Sequence, residues 1–173
     1  VLRRRQGKGQ PIRDDGPEAH AAKSGTPTMG GLLVLSALVF STVMWARLDN
    51  NYIIIVLFVT ICFGGIGFID DYLKVSRQNP KGVSSKIRLL SGFLVAAVAA
   101  YFIATTHPDA LQNRLALPIF KNLLVDLGFL FVPFAMIVIV GSANAVNLTD
   151  GLDGLVSMPL IFVFLTFAIF AYI

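Results

Sequence analysis

Five long apolar runs restrict this chain to membrane-spanning architectures. Each run holds 17–19 residues and has no charged residue at its centre. At about 1.5 Å of helix rise per residue, such a run approaches the roughly 30 Å hydrocarbon core of a bilayer. Only 14% of the 173 residues are charged, against about 25% in soluble domains. The sequence predicts an all-α, polytopic integral membrane protein with five transmembrane helices, at about Gly30–Ala46, Tyr52–Ile69, Leu89–Thr105, Leu123–Val140 and Leu155–Ile173.

Basic residues are distributed unequally between the two sides of this topology. With a cytoplasmic amino terminus, the cytoplasmic segments are 1–29, 70–88 and 141–154, and they hold eleven of the fourteen Lys and Arg residues. Cytoplasmic loops carry such an excess, so we expect this orientation in the lipid bilayer. The net charge of +4 is then a topology signal. No nucleic acid partner is expected, because the basic residues lack the folded module and stacking aromatics that it requires.

The first cytoplasmic segment combines glycines with hydroxyl and basic side chains. Residues 23–31 read KSGTPTMGG and directly precede the first span. Glycines let backbone amides approach an anion, and the amino end of a following helix favours negative charge. Lys23 and Thr28 are therefore candidates for contacts with a phosphate or a sugar. The alternative is a capped loop in which Thr28 only begins the helix.

An aspartate pair ends the second span. Asp70 and Asp71 are adjacent carboxylates at the end of an apolar helix, where repulsion and desolvation are both costly. Magnesium would relieve both costs, because Mg²⁺ takes oxygen ligands and is usually held by one or two carboxylates plus substrate phosphates. Lys74 is within reach of either carboxylate. Lys81, Lys86 and Arg88 are expected to face lipid headgroups or a phosphate. The alternative is a solvated helix end with a surface salt bridge.

The third segment is rich in amide and carboxylate side chains. Residues 144–155 read NAVNLTDGLDGL, in which Asn144, Asn147, Asp150 and Asp153 recur every third residue. A regular helix would place the last of these opposite the first, and two glycines indicate that the backbone bends instead. We expect a concave polar cluster at the membrane surface, able to bind a ribose or a base.

Together the three segments resemble the family of polyprenyl-phosphate N-acetylhexosamine-1-phosphate transferases. The first is typical of the branch of phospho-N-acetylmuramoyl-pentapeptide-transferases, the lipid I synthases, whereas the others are more widely shared. The resemblance covers essentially the whole chain and implies a fold of about ten spans. Since the chain starts without Met and stops inside an apolar run, we expect one incomplete transmembrane transferase domain, an internal fragment that is inactive alone. The matching stretches are RDDGPEAHAAKSGTPTMGG (13–31), GFIDDYLK (67–74), NPKG (79–82) and GSANAVNLTDGLDGL (141–155).

The resemblance implies a reaction and a set of site residues. Phospho-MurNAc-pentapeptide would pass from UDP-MurNAc-pentapeptide to undecaprenyl phosphate, with Mg²⁺ as cofactor, at the cytoplasmic face of the bacterial inner membrane. Asp70 and Asp71 match the catalytic aspartate pair, which also provides metal ligands. Of the two, Asp70 is favoured as the residue that assists deprotonation of the lipid phosphate. The matching substrate-binding residues are Lys23, Thr28, Lys74, Lys86, Asn147, Asp150 and Asp153.

Two other functions fit parts of the sequence. One is a sister transferase that uses UDP-GlcNAc as donor, which the first segment disfavours. The other is a transporter subunit, but transporters place ionisable groups near the bilayer midplane, where this chain is apolar. Gly64, Gly65 and Gly67 indicate close helix packing, either within one chain or between the two copies of a homodimer.

Overall fold

The computed structural model describes residues 30–77, 82–108, 111–117, 120, 123–150 and 155–172. These ranges form five α-helices and one short antiparallel β-hairpin, which confirms the predicted α-helical membrane fold. The helices are α1 (Gly30–Trp45), α2 (Asn51–Arg77), α3 (Ser85–Thr106), α4 (Phe131–Thr149) and α5 (Ser157–Tyr172), and the strands are β1 (Arg114–Ala116) and β2 (Leu124–Asp126).

Within the described ranges, three helical segments are long and apolar enough to cross a membrane. They are α2, α3 and the stretch Gly128–Thr149, which joins a 3-10 turn to α4. In the described part of the chain α1 and α5 are apolar but shorter, with 16 residues each. Both adjoin residues outside the described ranges.

Helix α2 continues well past the end of the second apolar run. It ends at Arg77, so that the aspartate pair and Lys74 lie on regular helix rather than in a loop. Two basic residues in its last turn complement the negative carboxyl end of the helix dipole. The spacing of charges along the last turns of α2 is therefore fixed by helical geometry.

Helix α4 differs from the apolar run at both of its ends. The run begins at Leu123, but residues 124–126 form β2, which pairs with β1 in the register Leu115↔Val125. Asp126 Oδ1 accepts the Gly128 N–H at 2.8 Å, in a turn where Gly128 has φ +47°. At the other end α4 continues to Thr149, so the first part of the polar cassette is helical. The bend expected at Gly151 and Gly154 lies outside the described residues.

Small residues let α3 lie between α2 and α4. Ala96, Ala99 and Ala100 are fully buried on α3. A Cβ added at Gly92 would lie 3.6 Å from the Phe63 ring of α2 and 3.9 Å from the Val140 side chain of α4. Such close approach of backbones is the usual basis of helix packing in membranes.

The three glycines of α2 do not share one packing role. A Cβ at Gly64 would overlap the side chain of Leu35, so that α1 and α2 meet there. No described atom lies within 4 Å of a Cβ added at Gly65 or Gly67. Of the three, only Gly64 is thus shown to permit a close contact between helices of this chain.

We predict that enlarging the core of α3 destabilises the protein. Ala96→Leu adds three carbons where Ala96 is fully buried, and overpacking of this kind costs about 1–3 kcal/mol of the free energy of unfolding. Thermal unfolding in detergent would measure the loss. The matched control is Ala168→Leu on α5, which is exposed. Equal melting temperatures for the two variants would contradict this packing.

Candidate functional site

A cavity of about 350 Å³ lies where α2, α3 and α4 meet. Its apolar part comes from Phe63, Ile66, two glycines and an alanine. Its polar part brings together three kinds of group: two carboxylates, two cations and two amides. These polar lining residues are Asp70, Asp71 and Lys74 on α2, Arg88 on α3, and Asn144 and Asn147 on α4.

Asp70 is the buried member of the aspartate pair. It is 6% exposed, and each carboxylate oxygen has a partner. Lys74 Nζ lies 2.5 Å from Oδ2, and the backbone N–H of Val83 donates to Oδ1 at 2.8 Å. A carboxylate removed from water needs such partners, because an unpaired buried charge is strongly destabilising. The sequence placed Lys74 correctly at i+4, whereas the Val83 contact depends on the fold.

Asp71 is the accessible member of the pair. Its side chain is 40% exposed, and its Oδ1 lies 3.6 Å from Lys74 Nζ. Among the described residues this is the one ion pair of Asp71, longer than that of Asp70. Adjacent residues on a helix point about 100° apart. For this reason the Asp70 carboxylate is covered, whereas the Asp71 carboxylate reaches the cavity with lone pairs available.

The cavity contains a cation that the resemblance did not include among the substrate-binding residues. Arg88 lines the cavity and is half-buried, whereas the predicted Lys86 is exposed and lies outside the lining. Lys86 and Arg88 point to different faces of α3, because they are two residues apart on a helix of 3.6 residues per turn. Ser84 caps α3, and Arg88 and Gly92 follow at successive four-residue steps on one face. Counting in steps of four residues from the N-cap Ser84 would have favoured Arg88 over Lys86 as a residue of the site.

The amides of α4 reach the same cavity from the opposite side. Asn144 donates from Nδ2 to the Val140 carbonyl at 2.8 Å, and Asn147 lies one turn further along. Asp150 is the C-cap residue, is exposed, and is absent from the described lining. Both asparagines belong to the polar cluster that the sequence predicted, although the resemblance assigned substrate binding only to Asn147. Three other predicted residues, Lys23, Thr28 and Asp153, lie outside the described residues.

The donors at the cavity suit a hard divalent cation. Asp71 supplies an accessible carboxylate, and asparagine side chains add amide oxygens, which are the ligand types that Mg²⁺ takes. Within the described ranges no cluster of three or more His, Cys, Asp or Glu residues could hold a metal ion. A magnesium ion here would complete its shell with water, substrate phosphates or parts of the protein outside those ranges.

Comparison with known proteins identifies the family. The profile of glycosyl transferase family 4 matches residues 52–173, a stretch that contains the whole cavity. The chain belongs to glycosyl transferase family 4. In addition, signature 1 of the phospho-N-acetylmuramoyl-pentapeptide-transferases matches residues 23–35, across the glycine- and threonine-rich segment that precedes and begins α1.

Curated members of glycosyl transferase family 4 resemble the chain along almost its whole length. Phospho-N-acetylmuramoyl-pentapeptide-transferases from Ruegeria sp., Ruegeria pomeroyi and Dinoroseobacter shibae are 65%, 62% and 56% identical to it. Each alignment covers 99% of this chain but 48% of the relative. The chain thus spans about half the length of the curated relatives it matches. These findings confirm the predicted family and the transferase class.

We predict that the two aspartates differ in their contribution to stability. Asp70→Asn leaves Lys74 without its close partner, and removing one member of a buried pair costs about 1–3 kcal/mol when the other retains a weaker contact. Asp71→Asn should change the free energy of unfolding by less than about 1 kcal/mol, because exposed pairs contribute little. Thermal unfolding of the complete protein in detergent measures both. An equal loss in the two variants would contradict the assigned burial.

Proposed function

We propose that the protein containing this chain transfers phospho-MurNAc-pentapeptide from UDP-MurNAc-pentapeptide to undecaprenyl phosphate. The products are lipid I and UMP, and the reaction serves peptidoglycan synthesis. The observation that carries this proposal is the 56–65% identity to relatives named for that donor sugar. The cavity supports it independently, because it gathers charged groups at the ends of membrane-type helices, where a lipid phosphate and a soluble nucleotide can meet.

The reaction exchanges one phosphoryl bond for another. An oxygen of the lipid phosphate forms a bond to the sugar-linked phosphorus of the donor. The bond from that phosphorus to the bridging oxygen breaks, and UMP leaves with that oxygen and its electron pair. Negative charge on the phosphoryl oxygens must be stabilised throughout. Lys74 and Arg88 provide two positive charges at the cavity for this purpose.

Magnesium is the cofactor that we assign to this site. When bound, Mg²⁺ neutralises diphosphate charge and orients the leaving group. Among the described residues Asp71 is the best placed carboxylate for it, since it is exposed to the cavity and only weakly paired. Asn147 lines the same cavity and supplies an amide that can bind either the ion or the nucleotide.

The geometry favours Asp70 as an ion-pair partner of Lys74 rather than as a proton acceptor. The sequence had favoured the latter role. Both oxygens of Asp70 have partners, and the side chain is almost covered. A strong base is also unnecessary, because a phosphate monoester has its second pKa near 6 and is largely ionised at neutral pH. Asp70 therefore acts on the reaction by holding Lys74.

The remaining predicted residues are assigned to the rim of the site and to the nucleotide. The proposed orientation puts them all at the cytoplasmic face of the bacterial inner membrane, where the basic residues are concentrated. UDP-MurNAc-pentapeptide would then enter from the cytoplasm and undecaprenyl phosphate from the bilayer. These residues are Lys23, Thr28, Lys86, Asp150 and Asp153.

We predict that UMP release requires the muramoyl donor, Mg²⁺ and Asp71. Membranes carrying the complete protein would receive undecaprenyl phosphate with either UDP-MurNAc-pentapeptide or UDP-GlcNAc, in Mg²⁺ or in EDTA. We expect release with the muramoyl donor alone, its loss in EDTA, and a decrease of about 100-fold or more in Asp71→Asn, the scale for loss of an electrostatic group at a reacting phosphate. Asp49→Asn is the matched control, since that carboxylate is 69% exposed and pairs only with Arg47 among the described residues.

Other outcomes would redirect the assignment. Release with UDP-GlcNAc would retain the chemistry but assign the protein to a sister transferase. Failure to release UMP from either donor, by protein that is folded, would contradict the proposal.

We further propose that the 173-residue chain is inactive by itself, since its relatives are about twice as long. Turnover by the purified chain would contradict that part.

A further inference from the structure

A glycine turn closes directly onto the buried carboxylate of the site. Gly82 has φ +53°, a left-handed conformation that glycine adopts readily and other residues rarely do. A Cβ at this position would overlap Asp70 Oδ1 and would lie 2.8 Å from Lys74 Cε. Position 82 therefore has two requirements that only glycine meets: a positive φ, and no side chain in the space that the ion pair fills.

The same turn determines where α3 begins. The N–H of Val83 donates to Asp70 Oδ1, and the next residue, Ser84, is the N-cap of α3. The Ser84 carbonyl accepts the Arg88 N–H at 3.0 Å. The buried carboxylate is thus linked through two consecutive backbone units to the helical turn that carries Arg88.

We propose that Gly82 is a positioning residue for the candidate site. Because it lacks a side chain, the backbone can approach Asp70 closely enough for the Val83 hydrogen bond to form. That bond orients the carboxylate towards Lys74 and attaches the start of α3 to the end of α2. Gly82 thereby sets the positions of both cations of the cavity, Lys74 and Arg88. The inference rests on the proposed function only where turnover is measured.

The chain offers a matched control for the backbone effect. Gly128 has φ +47°, but no described atom lies within 4 Å of a Cβ added there. Alanine at either position imposes the same left-handed strain. Only at position 82 would the alanine Cβ also clash with Asp70 and Lys74. The difference between Gly82→Ala and Gly128→Ala therefore isolates the contact from the strain.

The test measures the accessibility of Lys74 in the complete protein in detergent. Reductive methylation followed by mass spectrometry gives its modification rate relative to Lys86, which is exposed. We expect Gly82→Ala to raise the relative rate about fivefold or more, because a lysine released from a buried pair reaches solvent. Gly128→Ala should stay within about twofold of the unsubstituted protein, since it leaves that pair in place. Equal rates in the two variants would overturn the inference.

A double variant tests whether Gly82 acts through Asp70. Asp70→Ala already releases Lys74 from its close partner, so adding Gly82→Ala to it should raise the Lys74 methylation rate by less than about twofold. If the double variant instead raises the Lys74 methylation rate by the product of the two single effects, the two residues act independently. That result would count against the inference. Should Gly82→Ala fail to fold, Gly82→Asn tests the same contact, because asparagine tolerates a positive φ better than alanine does. Gly82→Asn should raise the Lys74 methylation rate, and an unchanged rate would overturn the inference.

Turnover separates this inference from the proposed function. If Gly82 positions the cations, Gly82→Ala lowers kcat/KM for UMP release about tenfold or more, the scale for misplaced charge at a reacting phosphate. Gly128→Ala leaves it unchanged. Suppose that Gly82→Ala raises the Lys74 methylation rate as expected, but the unsubstituted protein releases no UMP. That result would support the positioning role and contradict the lipid I synthase assignment. Normal turnover in Gly82→Ala would overturn the positioning role alone.

Discussion

The site depends on one buried ion pair at the end of a membrane-type helix. Asp70 is nearly inaccessible, and such a charge persists only when its oxygens have partners. Lys74 provides one partner from the same helix, and Val83 provides the other from the chain that enters α3. Satisfying this carboxylate therefore joins the carboxyl end of α2 to the amino end of α3. The cavity opens beside that junction, with Asp71 on its accessible side.

Close packing of three helices brings the remaining groups to the same place. The buried alanines and Gly92 of α3 let α2 and α4 approach it from both sides. Polar side chains avoid the hydrocarbon region and gather at helix ends, and continuous helix through the first part of the cassette brings Asn144 and Asn147 to face the aspartates. Carboxylates, cations and amides from three helices thus surround one volume, which suits a diphosphate substrate with a metal ion.

Residue spacing predicted contacts within a single helix, but it predicted contacts between helices less well. The apolar runs gave the fold class, and the i+4 relation gave the Asp70–Lys74 pair. The β-hairpin was missed because an apolar run such as Leu123–Val140 does not distinguish a strand followed by a helix from one helix. The role of Gly82 required three-dimensional information, since it depends on how closely the turn before α3 approaches Asp70.

We propose different roles for the two aspartates: Asp70 holds the site together, and Asp71 faces the metal and the substrate. The most direct measurement is a structure of the complete protein with Mg²⁺ and the UDP-linked donor. We expect an Asp71 oxygen about 2.1 Å from the ion, the usual magnesium distance, while Asp70 retains its contacts with Lys74 and the Val83 N–H. A structure in which Asp70 leaves both partners and coordinates the ion, with Asp71 turned away, would contradict these roles.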